Sequence, residues 1–207
     1  MRLIGMLDSP YVRRVAISLD VLGVAFDHEA VSVFSTFEKF KSINPVVKAP
    51  SLVCDDGTVL MDSSLILQFV EAAKTNGKSL WSKDSVQLLH EFRAVSLAMA
   101  ACEKAVQCVY ELHLRPMAAQ YEPWLERVKG QLIAALSLLE TEVANRQKDF
   151  ERAVNQECIT IAVVWQFIQS MLPDVVEKND YIKIMKLSER MELTSSFIKY
   201  PPVGPGV

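Results

Sequence analysis

The sequence predicts an α/β N-terminal domain followed by an all-α helical-bundle domain, and three observations predict it. Gly5, Gly23 and Gly57 punctuate the opening stretch, whereas between Lys78 and Val203 the only glycine is Gly130. Short strand-like runs alternate with helical ones before position 75. Beyond it, Pro116, Pro123 and Pro173 separate long periodic segments at about 84–114, 121–147 and 156–171. A chain of 207 residues, half of them apolar, can bury a core in each of two domains.

Taken in order, Arg2 to Met6 reads as a strand, and Val12, Val15, Ala16 and Leu19 form a helical stripe just after Ser9-Pro10. Serine suits the N-cap and proline the first helical position. Phe26 to Val33 has mixed alternation, and Phe37 to Ile43 fits a short helix. Ser51 to Cys54 and Thr58 to Met61 flank the turn Asp55-Asp56-Gly57, which predicts a hairpin. A helix from Ser63 to about Lys74 buries Ile66, Phe69, Val70 and Ala73 on one face. The order is therefore βαβ, α, ββα. In the second half, Ile161, Val164, Trp165 and Ile168 recur at i, i+3, i+4 and i+7, as in a core-facing helix. The expected division is a first domain at 1–75, a linker at 76–82 and an all-helical domain at 83–207.

Charge and cysteine usage exclude several function classes. Twenty-two Lys and Arg against 25 Asp and Glu leave a formal charge of −3 without a basic or acidic tail, so nothing favours a nucleic-acid partner. The longest nearly apolar run, Val95 to Cys102, is far below the roughly 18 residues of a membrane span. The apolar stretch before Asp8 is too short for a secretory signal, so a cytoplasmic location is expected. Cys54, Cys102, Cys108 and Cys158 show neither metal-ligand nor disulfide-framework spacing. They are read as reduced, mostly buried thiols, and no metal is expected.

Three junctions in the first half carry candidate chemistry. Ser9 sits where free helix amides and the positive dipole end would favour an anionic ligand atom, although a plain N-cap explains the same residue. Pro50 heads a strand-like run and pushes Ala49 into an extended conformation, so the Ala49 main chain can pair with an extended peptide; a ligand-free strand-edge proline is the alternative. Asp62-Ser63-Ser64 precedes a helix, so hydroxyls and amides can hold a carboxylate while Asp62 accepts from an ammonium group; simple capping again competes. All three lie at junctions of one small sheet, where ligands bind in open α/β folds.

Ser9-Pro10-Tyr11-Val12, Asn44-Pro45-Val46-Val47-Lys48-Ala49-Pro50, Asp55-Asp56-Gly57 and Asp62-Ser63, followed by an all-helical half, resemble a cytosolic glutathione S-transferase of the bacterial type. The resemblance covers nearly the whole chain and is strongest over 1–75. It implies a thioredoxin-like first domain, a cis-proline at Pro50, a homodimer, glutathione as cosubstrate and a role in detoxification. It further implies that Ser9 donates to the glutathione sulfur, that the Ala49 main chain pairs with the cysteinyl moiety, that Asp62 and Ser63 hold the γ-glutamyl group, and that Lys48 meets the glycyl carboxylate. Related disulfide enzymes carry Cys-Pro-Tyr-Cys where this chain has Ser-Pro-Tyr-Val, so dithiol exchange has no nucleophile here.

Two departures stand out. Val47 replaces the glycine of many relatives, and Val163 replaces the acid of a capping motif that would start at Thr160. The expected activity is conjugation of glutathione to a small hydrophobic electrophile. The alternative is a binding or regulatory module of the same fold. The electrophile pocket is expected between the halves, drawn from Met6, Leu7, Met99, Glu103, Val106 and Tyr110. Trp81, Trp124 and Trp165 are expected as packing residues, and His28, His90 and His113 in surface or core roles. Arg13 and Arg14 are expected on the solvated face of the first helix, with a contact across a dimer interface as the alternative.

Overall fold

The computed structural model describes residues 1–75, 77–150 and 154–204. Asn76, the first residue of the expected linker, lies outside the described residues, as do the last three positions of the expected second domain. The chain forms two compact units: Met1–Leu80 with the C-terminal segment from Thr194, and Trp81–Leu193.

The first unit has the thioredoxin-like order that the resemblance implies. Its elements are β1 (Arg2–Ile4), α1 (Pro10–Leu22), β2 (Asp27–Glu29), α2 (Phe37–Ile43), β3 (Ser51–Val53), β4 (Val59–Met61) and α3 (Ser63–Ala73). The sheet runs β2-β1-β3-β4, with β1 and β2 parallel and the other pairs antiparallel. Strand side chains alternate between faces, and both faces are covered. Ile4 packs with Val31 and with Phe40 of α2, while its neighbour Leu3 is fully buried on the opposite side. α1 and α3 pack together. α1 starts on Pro10 and stops at Gly23, whose left-handed φ of 75° lets its amide bond back to the Asp20 carbonyl at 2.9 Å.

A C-terminal helix also belongs to this unit, although the sequence placed it in the second domain. The five-residue α9 (Ser195–Lys199, numbered by its place in the chain) packs on α1. Ser196 and Lys199 donate to the Asp20 carboxylate, and Arg13 Nε donates to the Tyr200 carbonyl at 2.8 Å.

The second unit comprises α4 (Ser85–Val109), α5 (Glu122–Asn145), α6 (Gln147–Phe150), α7 (Gln156–Met171) and α8 (Ile182–Glu192), close to the expected segments. α7 is buried on nearly all sides of its first three turns and packs between α4 and α8. The cap expected at Thr160 is corrected here. α7 begins earlier, capped by Asn155, whose Oδ1 accepts from the Cys158 amide at 3.0 Å. Thr160 is inside the helix, donating to the Gln156 carbonyl at 2.7 Å, so Val163 costs no cap. Trp165 is buried against Tyr181 and Trp81 packs edge-on to Phe92 at 4.6 Å, but Trp124 is 42% exposed and does not act as a core residue.

Candidate functional site

Strand register brings the three junctions to one edge. Ile4 pairs with Ser51, and Ser51 pairs with Met61. The residues just beyond that row are Gly5, Pro50 and Asp62, so the loop to Ser9, the Ala49-Pro50 bend and the start of α3 share one end of the sheet. Gly5 is required there. A side-chain carbon on it would lie 2.5 Å from Val12 and 3.4 Å from the Ala49 methyl, and its φ is 142°. This close approach places α1 and the bend against the same strand end.

Ser9 does not cap α1 with its side chain. Its amide donates to the Met6 carbonyl at 3.2 Å and its carbonyl accepts from the Arg13 amide at 3.0 Å. The half-buried hydroxyl has no hydrogen-bond partner among the described residues, so the plain-cap alternative fails. The neighbouring Asp8 carboxylate lies directly against Gly204, where any added side-chain carbon would overlap it.

The Ala49–Pro50 peptide is cis, as the resemblance implies. Ala49 itself has no main-chain hydrogen bond among the described residues, which leaves its amide and carbonyl available at that end of the sheet. The bend is held by a relay that the sequence did not disclose. Asn44 Nδ2 donates to Ser51 Oγ at 2.8 Å, and Ser51 Oγ donates to the Lys48 carbonyl at 2.7 Å. Val47 sits within this loop at φ 52°, a left-handed conformation that explains why glycine suits the position and that strains a β-branched residue. The Lys48 side chain is exposed.

Asp62 caps α3, with Oδ1 accepting from the Ser64 amide at 2.9 Å and the Leu65 amide at 3.3 Å. Its Oδ2 has no partner among the described residues. The residue adopts φ 73°, an uncommon backbone state of the kind that clusters at ligand sites. Ser63 is buried and Ser64 exposed.

Arg13 and Arg14 depart from expectation: they are 1% and 2% exposed, not on a solvated face. Arg13 reaches the Tyr200 carbonyl and lies 5.1 Å over the Phe197 ring. Arg14 Nη1 donates to the hydroxyl oxygens of both Ser63 and Ser64 at 3.1 Å. His28, expected in a surface or core role, is half-buried with its Nε2 2.8 Å from the Gly5 carbonyl at the strand end.

The expected pocket residues are disposed differently in each unit. Leu7 is buried and Met6 half-buried in the first. In the second, Met99 and Val106 are half-buried, Glu103 is exposed and bonded to Lys104 and Gln107, and Tyr110 is 45% exposed, its phenol pKa raised by burial. A separate surface cavity of about 290 Å³, lined by Cys54, Thr58, Leu60, Phe69 and Lys74 among others, lies at the opposite end of β3 from Pro50. Burial pushes the Cys54 thiol up, which disfavours its thiolate.

Comparison with known proteins agrees with the geometry. Residues 3–77 match the family model described as the glutathione S-transferase N-terminal domain. The uncharacterized GST-like protein YibF of Escherichia coli is 27% identical over 140 residues, 68% of either chain. A glutathione transferase family member from Pseudomonas fluorescens, solved with bound glutathione, superposes with a TM-score of 0.84 at 25% identity, covering 98% of this chain and 99% of that one. A Methylobacterium radiotolerans glutathione S-transferase in complex with glutathione sulfonate has the same fold, with a TM-score of 0.87 at 24% identity over 100% of this chain and 96% of that one. Residues 3–77, with their cis-proline bend, thus match the glutathione S-transferase N-terminal domain, and the chain as a whole is similar in fold to glutathione transferases.

Proposed function

We propose that this chain binds glutathione and uses Ser9 to stabilise its thiolate for attack on a small hydrophobic electrophile. The observation that carries the reading is the Ser9 hydroxyl, uncommitted among the described residues at the N-terminus of α1. Family members such as the Pseudomonas fluorescens protein were solved with glutathione bound. A thiol of pKa about 8.5 is only a few per cent ionised at neutral pH, and the thiolate is the nucleophile. A hydrogen bond from Ser9, added to the α1 amides and dipole, favours the charged sulfur, and each unit of lowering is worth about 1.4 kcal/mol. The sulfur lone pair forms the new carbon–sulfur bond as the leaving group departs with its electrons. Holding the two reactants together supplies the rest of the acceleration.

The remaining groups bind and orient. Ala49 offers its amide and carbonyl to the cysteinyl main chain, Pro50 shapes that bend, and Lys48 is placed in the same loop for the glycyl carboxylate. Asp62 and Ser63 receive the γ-glutamyl head. Met6, half-buried just beyond Gly5, is the first-unit side chain proposed to meet the electrophile, with Leu7 beneath it. Met99, Glu103, Val106 and Tyr110 are the second-unit candidates. The proposed physiological setting is cytoplasmic detoxification by a homodimer.

Ultraviolet titration of bound glutathione, paired with turnover of an aromatic halide, tests the reading. Ser9→Ala is expected to raise the bound thiol pKa and to lower turnover about 10- to 100-fold. Unchanged pKa and turnover would refute the assignment. A wild-type chain that binds no glutathione supports the binding-module reading, for which the strained Val47 in the ligand loop leaves room, whereas binding without turnover points to a different electrophile.

A further inference from the structure

We propose that Arg14 is a positioning residue that turns Ser63 and Ser64 into carboxylate-facing donors, giving the site its selectivity for the α-amino-acid head of glutathione. The inference rests on the glutathione reading above and deepens it. A serine hydroxyl has one proton to donate and lone pairs to accept with. The Arg14 guanidinium, 2% exposed, donates from Nη1 into both hydroxyl oxygens at 3.1 Å. Among the described residues neither hydroxyl donates to any acceptor.

With their oxygens facing a buried cation, the two O–H groups are polarised outward and accept nothing more from that side. An anion is the ligand that such a pair serves. Beside them, Asp62 spends Oδ1 on the Ser64 and Leu65 amides and keeps Oδ2 clear, so an acceptor for a cation stands next to two donors for an anion. That juxtaposition matches an ammonium and a carboxylate on one carbon, the γ-glutamyl head, and no other part of the tripeptide. Arg14 does not need to touch the ligand. It comes from α1, the helix whose start presents Ser9, so one helix serves both the sulfur and the γ-glutamyl head of the bound tripeptide.

The test compares glutathione with 4-aminobutyryl-cysteinylglycine, which lacks only the γ-glutamyl α-carboxylate, by calorimetry on the full chain. Wild type is expected to prefer glutathione by about tenfold or more, the worth of a charged hydrogen bond. Arg14→Met is expected to abolish most of that preference while the affinity for the analogue stays within about twofold. Arg14→Lys, which keeps a charge able to reach one serine, should restore part of it. A merely structural role predicts equal weakening of both ligands in either variant, and that result overturns the inference. Should Arg14→Met fail to fold, Arg14→Lys carries the comparison alone, and an undiminished preference there overturns the inference. Wild type binding neither ligand overturns the glutathione reading itself, whereas wild type that discriminates beside an equally discriminating Arg14 variant overturns only the role given to Arg14.

Discussion

Asn44 and Ser51, seven residues apart and both buried, are joined by a 2.8 Å hydrogen bond that fixes the ligand-facing bend between them. Asn44 also accepts from the Val46 amide at 3.0 Å, and its amide nitrogen lies 3.7 Å from the Met61 sulfur on β4. Replacing Asn44 by Ala leaves the Val46 amide and Ser51 hydroxyl short of partners. The expected loss is about 1–3 kcal/mol. Urea unfolding measures it, and a change below about 0.5 kcal/mol would show that water replaces the side chain without penalty.

At Val47 two effects compete. A left-handed backbone costs an L-residue about 1–2 kcal/mol, while glycine costs about 0.5–1 kcal/mol in chain entropy. The Val47 side chain packs, half-buried, on the Ile4, Val31 and Phe40 cluster, so truncation also loses apolar contact. Val47→Gly should therefore be near neutral. Val47→Ala keeps the strain and loses the contact, so the glycine variant is expected to be more stable than the alanine one by about 1 kcal/mol, opposite to the usual order. Equal denaturation midpoints would argue that φ at this position relaxes.

Local features of the first unit were legible because their causes are local. Pro10 at a helix start, the Asp55-Asp56-Gly57 turn and Asp62 before α3 all act within a few residues, and β3, β4 and the ends of α1 and α3 follow from them. The burial of Arg13 and Arg14 was not legible. Their partners Tyr200 and Ser63 are 187 and 49 positions away, and a helix covered on nearly all sides has no solvated face for the arginines to occupy. A usable signal was present: Val12, Val15, Ala16, Ile17, Leu19 and Leu22 surround α1 too widely for a single apolar stripe. The Asn155 cap was missed for a different reason. A resemblance placed the capping motif at Thr160, while the cap is the Asn155 side chain, five residues earlier, accepting from the Cys158 amide.

Glu157 is fully enclosed in the second unit and receives two 3.1 Å hydrogen bonds from Arg146. Burial pushes its carboxyl up, and the Arg146 bonds only partly offset that. Arg146→Met strands the carboxylate and is expected to cost about 3–5 kcal/mol at pH 7. A raised folded-state pKa means the folded form takes up the proton first, so this cost should shrink as the pH falls toward 5. Adding Glu157→Leu should recover much of the stability. A double variant as unstable as Arg146→Met alone would locate the loss in the Phe150 and Asp149 contacts of Arg146 instead.

The α9 segment gives an opposite pH signature. Burial alone would raise the Asp20 carboxyl, but hydrogen bonds from Lys199 and Ser196 outweigh it and leave it below the usual range. A depressed carboxyl stabilises the fold fully above its unfolded value of about 3.9 and loses that contribution as pH falls through the folded value. Hydrogen exchange of the α9 amides should therefore accelerate below about pH 4 in wild type. In Asp20→Asn it should be fast already at pH 6. An α9 equally protected in both proteins would mean that Arg13, through the Tyr200 carbonyl and the Phe197 ring, holds the segment without Asp20.

Ser9 and Asp62 stand at equivalent helix starts but carry different structural duties, which separates stability from function. Substituting an N-cap serine by alanine ordinarily costs about 1 kcal/mol. The Ser9 side chain makes no cap bond, so Ser9→Ala should change unfolding free energy by less than about 0.5 kcal/mol, while the proposed function requires it to impair turnover. Asp62→Ala removes two amide partners and puts a Cβ-bearing, uncapped residue at φ 73°, with an expected loss of about 2 kcal/mol. Asp62→Gly relieves the backbone and should recover part of that stability without recovering glutathione affinity. If Ser9→Ala destabilises the chain as much as Asp62→Ala does, its hydroxyl is serving the helix, and a drop in activity could no longer be assigned to the ligand's sulfur.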